Sequence, residues 1–257
     1  MPLNILCCVK RVPMTGGRIV LTADEQAIET RHLGFTISPH EECGVEEAVR
    51  IVEQHGGSST VLTLGPPEAE EQLRDAMALG IDRAILLPAD AELDGGATAA
   101  AILEAIEAER AAGTEYDLIF FGNESADAGN YQVGIRIAHA LGRPCVTGLK
   151  GIAVEDGGLR CEQEVPGGRD VYRVPLPAVV TVKEGLNLPR YPSVPGRMRA
   201  KRKPLDTRPV AAADVGAGVE KVRLVVPADQ GKQAQILGHG PDAAPAVVEI
   251  LRGAGVI

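Results

Sequence analysis

Short apolar runs alternate with helix-like stretches over the first two thirds of the chain. Residues 4–9, 60–64, 83–87, 118–121 and 178–183 are apolar along almost their whole length, and patterns of helical spacing separate the first four. A strand that is apolar on both faces is typical of a parallel sheet covered by helices on both sides. The sequence therefore predicts an α/β fold, whose ligands bind at the carboxyl ends of the strands.

The chain changes character after residue 144. Residues 151–155, 159–165 and 170–174 alternate as antiparallel strands do, and glycine-rich turns join them into a hairpin unit. Residues 186–209 contain five prolines and predict a long irregular loop. A tail with a strand-like stretch at 222–226 and a helix near 242–252 follows. We expect three units: an α/β domain over 1–185, a protruding loop over 186–209 and a C-terminal arm over 210–257.

Composition excludes several classes of protein. The 257 residues include 26 basic and 35 acidic side chains, seven aromatic residues and no Trp, which disfavours binding to nucleic acid or an anionic membrane. No apolar run is long enough to span a bilayer, so membrane insertion is not expected. The first residues lack the pattern of a signal or transit peptide, which predicts a cytoplasmic, prokaryotic protein.

Classical catalytic and metal-binding patterns are missing from the sequence. Five cysteines without a C-x-x-C pair predict neither a disulfide framework nor a thiolate zinc site. The histidines lie far apart, at His32, His40, His55, His139 and His239. We therefore predict no catalytic residue and no metal site.

The loop over residues 122–134 is the strongest candidate for ligand binding. It follows a predicted strand, contains three glycines that let a ligand approach the backbone, and leads into a predicted helix. Free N–H groups at the start of that helix suit a phosphate. The loop matches neither the dinucleotide fingerprint nor a P-loop, and a polar turn that only caps the helix remains the alternative.

Residues 190–203 carry six basic and no acidic side chains. An apolar tip at Val194 and Met198 beside this basic stretch suits docking to an acidic partner protein. A solvated loop is the alternative interpretation.

At this point several blocks of the sequence resemble the β subunit of electron transfer flavoproteins. They lie in the family's order at residues 9–13, 38–48, 64–66, 74–83, 176–182, 187–191 and 198–204. The likeness covers about residues 3–206 and is weak beyond residue 209.

The resemblance implies a Rossmann-like nucleotide-binding domain of the adenine nucleotide α hydrolase-like type, with an antiparallel hairpin, a protruding loop and a C-terminal arm that packs on an α subunit. The α subunit of such an obligate heterodimer holds most of the contacts to FAD, and the β subunit buries a structural AMP. The heterodimer carries electrons from flavin dehydrogenases to a quinone oxidoreductase or another acceptor. The chain would then be a carrier subunit rather than a self-sufficient enzyme.

The resemblance also implies which residues bind and dock. The contacts to AMP would be Cys8, Ser38, Pro39, His40, Glu41, Leu64, Gly122, Asn123, Glu124, Ser125, Ala126, Asp127, Ala128, Gly129, Asn130, Tyr131, Gln132 and Val133. The partner-docking residues would be Tyr191, Val194, Pro195 and Met198, with Val194 as the anchor.

Departures from the family's pattern keep two alternatives open. Ser38 replaces an Asn, and Tyr131 and Val133 replace the Asn and Thr found beside the phosphate in mitochondrial-type members. Some bacterial relatives that read Gln-Val-Gly there, as this chain does, hold a second FAD in place of AMP and bifurcate electrons from NADH. The other alternative is a nucleotide-binding regulatory or scaffold domain without a redox role.

Overall fold

A sheet of nine strands forms the centre of the part of the chain that the structure, a computed structural model, describes: residues 1–16, 19–89, 93–210, 218–219, 221–227 and 235–257. Its strands are β1 (Leu3–Cys8), β4 (Gly57–Gly65), β5 (Arg83–Pro88), β6 (Leu118–Gly122), β7 (Cys145–Glu155), β8 (Gly158–Val165), β9 (Gly168–Pro175), β10 (Ala178–Val182) and β11 (Leu205–Thr207). β2 (Arg11–Pro13) and β3 (Phe35–Ile37) form a separate antiparallel pair.

The strand order confirms the predicted sheet. It runs β11-β5-β4-β1-β6-β10-β7-β8-β9, with parallel pairing from β11 to β7 and antiparallel pairing in β7, β8 and β9. From β1 the chain builds the sheet outward to β4 and β5, and then returns to place β6 on the other side of β1. This reversal opens a crevice at the carboxyl ends of β1 and β6, where ligands of such sheets bind.

Helices cover both faces of the sheet, as the apolar strands predict. The helices of the described residues are α1 (Pro39–His55), α2 (Glu70–Leu79), α3 (Gly95–Ala111), α4 (Val133–Ala140), α5 (Val194–Ala200) and α6 (Ala244–Gly253), and the first four pack on the sheet. Alternate side chains of β1 enter different cores, because neighbouring residues of a strand point to opposite faces. Ile5 and Cys7 pack in the core beneath α1 and α2, and Leu6 and Cys8 pack in the core beneath α3 and α4. In the described ranges, no helix is both long and apolar enough to cross a membrane.

The prediction of an irregular loop over residues 186–209 was wrong in its second half. α5 begins at Val194, because the Ser193 side chain accepts a hydrogen bond from the Gly196 N–H and Pro195 suits a first helical turn. Residues after α5 then add β11 in parallel to the outer edge of β5. Of the five prolines that suggested an irregular loop, Pro195 lies in the first turn of α5 and Pro204 directly precedes β11, where each leaves its element intact.

The C-terminal arm confirms one prediction and corrects another. α6 occupies the predicted helix near residues 242–252. No strand forms over 222–226, where the Leu224 N–H donates a single backbone hydrogen bond to the Glu25 carbonyl at 2.8 Å. One such bond does not build a ladder. Residues 211–217, 220 and 228–234 of the predicted arm lie outside the described residues.

Candidate functional site

A cavity of about 320 Å³ opens at the carboxyl edge of the sheet, between the ends of β1, β4 and β6 and the first turns of α3 and α4. Its volume is at the lower end of the range of about 300–1,000 Å³ for ligand pockets. Many residues that the sequence suggested for nucleotide binding line it: Cys8, Glu41, Leu64, Gly122, Asn123, Glu124, Ser125, Asp127, Ala128, Asn130, Tyr131, Gln132 and Val133.

The remaining suggested residues line a second recess beside this cavity. Ser38, Pro39, His40, Ala126 and Gly129 surround about 370 Å³ at the first turn of α1. The two spaces share the wall formed by Glu124, Ser125, Asp127 and Ala128. The suggested site is therefore divided between two adjoining spaces.

Twelve further residues of the cavity wall were not named individually from the sequence: Val9, Lys10, Arg11, Gly65, Pro66, Ala89, Leu93, Gly95, Thr98, Ile102, Phe121 and Thr181. Gly134 is the last residue of the 122–134 loop that the sequence suggested. Those that directly follow β1 and β4 lie where the sequence places ligands, because the carboxyl ends of parallel strands meet at one edge. Gly95 and Thr181 carried no such signal, since they reach the cavity only through the packing of α3 and β10.

The 122–134 loop is tied back to the sheet at its start. The Asn123 N–H donates to the Val182 carbonyl at 2.9 Å, and the Asn123 side chain accepts a hydrogen bond from Thr181 Oγ1 at 2.9 Å. The Ala128 N–H donates to Asp127 Oδ1 at 2.7 Å. α4 begins at Val133, two residues after Tyr131 adopts a positive φ of 58°.

The start of α4 presents backbone donors to the cavity. Gln132 is the N-cap residue, and its side chain makes no capping hydrogen bond. Val133 and Gly134 form the first turn and line the cavity. The unpaired N–H groups of a helical first turn, together with the positive end of the helix dipole, favour an anion there.

Two glycines lie where close packing, rather than backbone conformation, leaves little room for a side chain. A Cβ at Gly122 would lie 2.6 Å from Glu41 Cγ, and a Cβ at Gly134 would lie 3.1 Å from the Phe121 ring. Both positions therefore keep α1 and α4 close to the strand ends that form the cavity.

Glu41 places a buried carboxyl group in the cavity wall. Its Oε2 accepts a hydrogen bond from the Lys10 N–H at 2.5 Å. The Lys10 ammonium instead pairs with Asp127 Oδ2 at 2.6 Å. Burial raises the pKa of Glu41 to about 8 against the opposing effect of Lys10, and the charge of Asp127 adds to the rise.

Asp127 behaves in the opposite way to Glu41. Burial favours its protonated form, but the hydrogen bond and charge of Lys10 together hold the pKa of Asp127 below its usual value. Burial also raises the pKa of the Cys8 thiol, which keeps it neutral. Cys8 thus contributes an uncharged wall rather than a reactive group.

His40 links the second recess to neighbouring segments. Its Nδ1 accepts a hydrogen bond from the Glu184 N–H at 2.7 Å, and its Nε2 lies 3.2 Å from Glu124 Oε1. Because Nδ1 accepts, the ring proton sits on Nε2 and is donated to Glu124. The first turn of α1 is thereby fixed to the 122–134 loop.

Two buried polar atoms lack partners among the described residues at these spaces. They are the Oγ of Ser38, a residue that lines the second recess, and the Nε of Arg11, a residue that lines the cavity and stacks its guanidinium 3.4 Å from the Phe35 ring centroid. An unpaired buried polar group costs about 1–3 kcal/mol. A polar ligand that reached these atoms would remove that cost.

The four suggested docking residues lie together on a different surface. Tyr191, Val194, Pro195 and Met198 are all exposed, with 96 % of Tyr191 and 77 % of Val194 accessible to solvent. The neighbouring Leu188 is also exposed and was missed. The structure therefore brings the suggested docking residues together, apart from the cavity.

Comparisons with known proteins agree over most of the chain. The family model described as "Electron transfer flavoprotein domain" matches residues 27–213. A protein of Bacillus subtilis (strain 168) named electron transfer flavoprotein subunit beta is 31 % identical over 255 residues, which cover 97 % of this chain and 98 % of that protein. A protein of the same name from Bradyrhizobium diazoefficiens is 32 % identical, over 99 % of this chain and 100 % of that protein. Another of the same name, from Syntrophomonas wolfei, is 36 % identical, over 83 % of this chain and 82 % of that protein.

Proposed function

Because the chain belongs to the electron transfer flavoprotein family and is a β subunit, we propose that it forms a heterodimeric electron carrier with an α subunit and holds a structural AMP. Electron transport within a flavoprotein is the role of the family. The observation that carries the nucleotide proposal is the cavity at the ends of β1, β4 and β6.

The residues of the cavity fit an adenine mononucleotide. The first turn of α4 offers donors to a phosphate, while Cys8, Leu64 and Phe121 offer an apolar wall to a base. AMP is the adenylate part of FAD. AMP would supply no chemistry there and would hold the strand-end loops together.

FAD supplies the redox chemistry of such a heterodimer by accepting and passing on electrons. We assign most of its contacts to the α subunit, in line with the family resemblance. This chain would contribute the α-binding surface. Val247 and Ile250 of α6 are exposed, and α6 buries no residue against the rest of the described chain.

The exposed docking residues would bind flavin dehydrogenases. Apolar side chains at Tyr191 and Val194, close to the cationic Arg199 and Arg202, suit an apolar pocket with an acidic rim. Separating this contact from the flavin would let one carrier accept electrons from several donors. A quinone oxidoreductase or another acceptor would then receive the electrons.

Anaerobic mixing tests the carrier role. The chain is co-expressed with its α subunit, and the flavin absorbance is followed after addition of a flavin dehydrogenase with its substrate, or of NADH alone. We expect reduction by the dehydrogenase and none by NADH. Reduction by NADH would support the bifurcating alternative with a second FAD, and absence of reduction by either would support a non-redox scaffold.

A further inference from the structure

The docking segment, residues 186–203, is held at its start by α1. The Asn187 side-chain amide donates to the Cys43 carbonyl and to Glu47 Oε2, both at 2.9 Å. Arg50 Nη2 donates to the Leu188 carbonyl at 3.3 Å. Backbone and side chain of the segment are therefore fixed to α1 before residue 190.

The end of the docking segment is held by α2. A Cβ at Gly196 would lie 2.5 Å from the Ala78 carbonyl oxygen, so α5 approaches α2 closely. Arg74 Nη1 donates to the Ala200 and Lys203 carbonyls at 2.8 and 2.9 Å. The exposed tip around residues 191–195 is thus a short span between two fixed ends.

Arg190 joins the tip to α1 through two carboxylates. Its Nε and backbone N–H donate to Glu46 Oε2 at 2.9 and 3.1 Å, and its Nη2 donates to Glu46 Oε1 at 3.2 Å. Its Nη1 and Nη2 also donate to Glu53 at 2.7 and 2.9 Å. Glu46 and Glu53 lie seven residues apart, which places both on one face of α1.

Glu46 is the buried member of this group, with 1 % of its surface accessible. Arg50 Nε donates to its Oε1 at 2.6 Å. Burial favours the protonated acid, but the hydrogen bonds from Arg190 and Arg50 hold the pKa of Glu46 below its usual value. A buried carboxylate with this many donors fixes the geometry of its partners more strictly than a surface pair does.

We propose that Glu46 is a positioning residue for partner docking, which acts through Arg190 to hold Tyr191 and Val194 out in solvent. This inference rests on the proposed docking function of the segment. Apolar side chains as exposed as these would otherwise gain from folding back onto the surface. Holding the tip in one conformation reduces the ordering cost of binding a partner.

The test uses the αβ heterodimer and a purified flavin dehydrogenase that reduces the wild-type heterodimer. The KM for the heterodimer and the kcat are measured for Glu46→Gln, which keeps the size of the side chain and removes its charge. We expect KM to rise about tenfold with kcat unchanged. The free energy of a charge-assisted hydrogen bond is larger than the free energy that corresponds to a tenfold change in KM. Glu71→Gln, at an exposed position of α2, is the matched control and should leave KM unchanged.

Arg190→Gln and Val194→Ala complete the test. Arg190→Gln should raise KM as Glu46→Gln does. The variant that combines Glu46→Gln with Arg190→Gln should have a KM no higher than that of either single variant, because the two residues act through one contact. If Glu46→Gln does not fold, Arg190→Gln tests the same contact in its place. A rise in KM for Val194→Ala with none for Arg190→Gln would overturn the positioning role alone. No rise for Val194→Ala would overturn the docking function on which the role depends.

Hydrogen exchange gives an independent reading of the same proposal. The Arg190 amide, which donates to Glu46 Oε2, should exchange faster in Glu46→Gln, while amides of β1 keep the wild-type rate. Equal acceleration in both places would show a general loss of stability and would count against a positioning role.

Discussion

The carboxyl group of Glu41 makes the stability of the protein depend on pH at the level of a single residue. Its pKa is about 8 in the folded chain, against an ordinary value of 4.5. Below about pH 4.5 both the folded and the unfolded chain hold this proton. Between about pH 4.5 and about pH 8 the unfolded chain releases the proton that the folded chain retains, so this contribution to stability is lost as the pH rises.

Glu41→Gln should remove this contribution. The variant keeps an uncharged side chain at every pH, so its melting temperature should fall less than that of the wild type between about pH 4.5 and about pH 8. Thermal unfolding of the heterodimer across this range measures the difference, with Glu71→Gln as the control. Parallel pH profiles for wild type and Glu41→Gln would contradict the assigned pKa.

Gly122→Ala should weaken nucleotide binding. The new Cβ would lie 2.6 Å from Glu41 Cγ, so α1 or the 122–134 loop must shift. Overpacking of this kind costs about 1–3 kcal/mol, and we expect at least about tenfold weaker retention of nucleotide. The nucleotide content of the purified heterodimer checks this, with Gly168→Ala as control because nothing lies within 4 Å of its Cβ position.

Residues at the strand ends were the predictable part of the site. Cys8, Leu64 and Gly122 follow from the rule that parallel strands bind ligands at their carboxyl ends. The division of the suggested set into two recesses could not be predicted, since it depends on how Glu124 and Asp127 fold back across the opening.

At the scale of elements, residues 186–209 depart most from their prediction. Proline-rich sequence suggested an irregular loop, yet α5 packs on α2 and β11 extends the sheet. Lys203 explains part of this order, because its ammonium donates to the Met77, Gly80 and Ile81 carbonyls at the end of α2. Such long-range contacts leave no periodic signal in the sequence.

Gly196→Ala tests the packing of α5 on α2. Its Cβ would lie 2.5 Å from the Ala78 carbonyl oxygen, where backbone cannot easily give way. We expect a loss of about 1–3 kcal/mol in the free energy of unfolding, measured by urea titration. Arg199→Ala, at an exposed position of the same helix, should change it by less than about 0.5 kcal/mol. Equal stability of the two variants would contradict the close α2–α5 contact.

At the scale of the whole molecule, helices cover the central sheet of the described chain, whereas the C-terminal arm is exposed to solvent. Both faces of the central sheet carry buried clusters, whereas α6 buries no residue. Apolar positions across the arm are open to solvent: Val219, Val222, Val225, Val226, Ile236, Val247, Ile250, Val256 and Ile257. Exposed apolar surface of this extent is typical of a chain that is completed by a partner.

Ile250→Asp should weaken assembly with the α subunit without unfolding this chain. Ile250 is 53 % exposed on α6, so the charge disturbs a partner's surface rather than the core. We expect at least about tenfold less heterodimer after co-expression and affinity purification, from the cost of burying an unpaired charge. Glu249→Gln is the control on the same helix, and an undiminished yield for Ile250→Asp would place the α subunit elsewhere.

The fold as a whole was largely predictable, because continuous apolar strands between helices permit few architectures. The order of the outer strands and the small β2–β3 pair were not predictable from residue patterns alone, since three-residue strands such as β3 and β11 are too short to show an alternation.

The most direct test of the central proposal is the nucleotide content of the heterodimer. The complex with its α subunit is purified and denatured, and the released FAD and AMP are separated and quantified against the protein. We predict one FAD and one AMP per heterodimer, with AMP reduced in Gly122→Ala. Two FAD and no AMP would contradict the proposed AMP site and assign the cavity to a second flavin, and no released nucleotide would show that the 122–134 loop is only a turn.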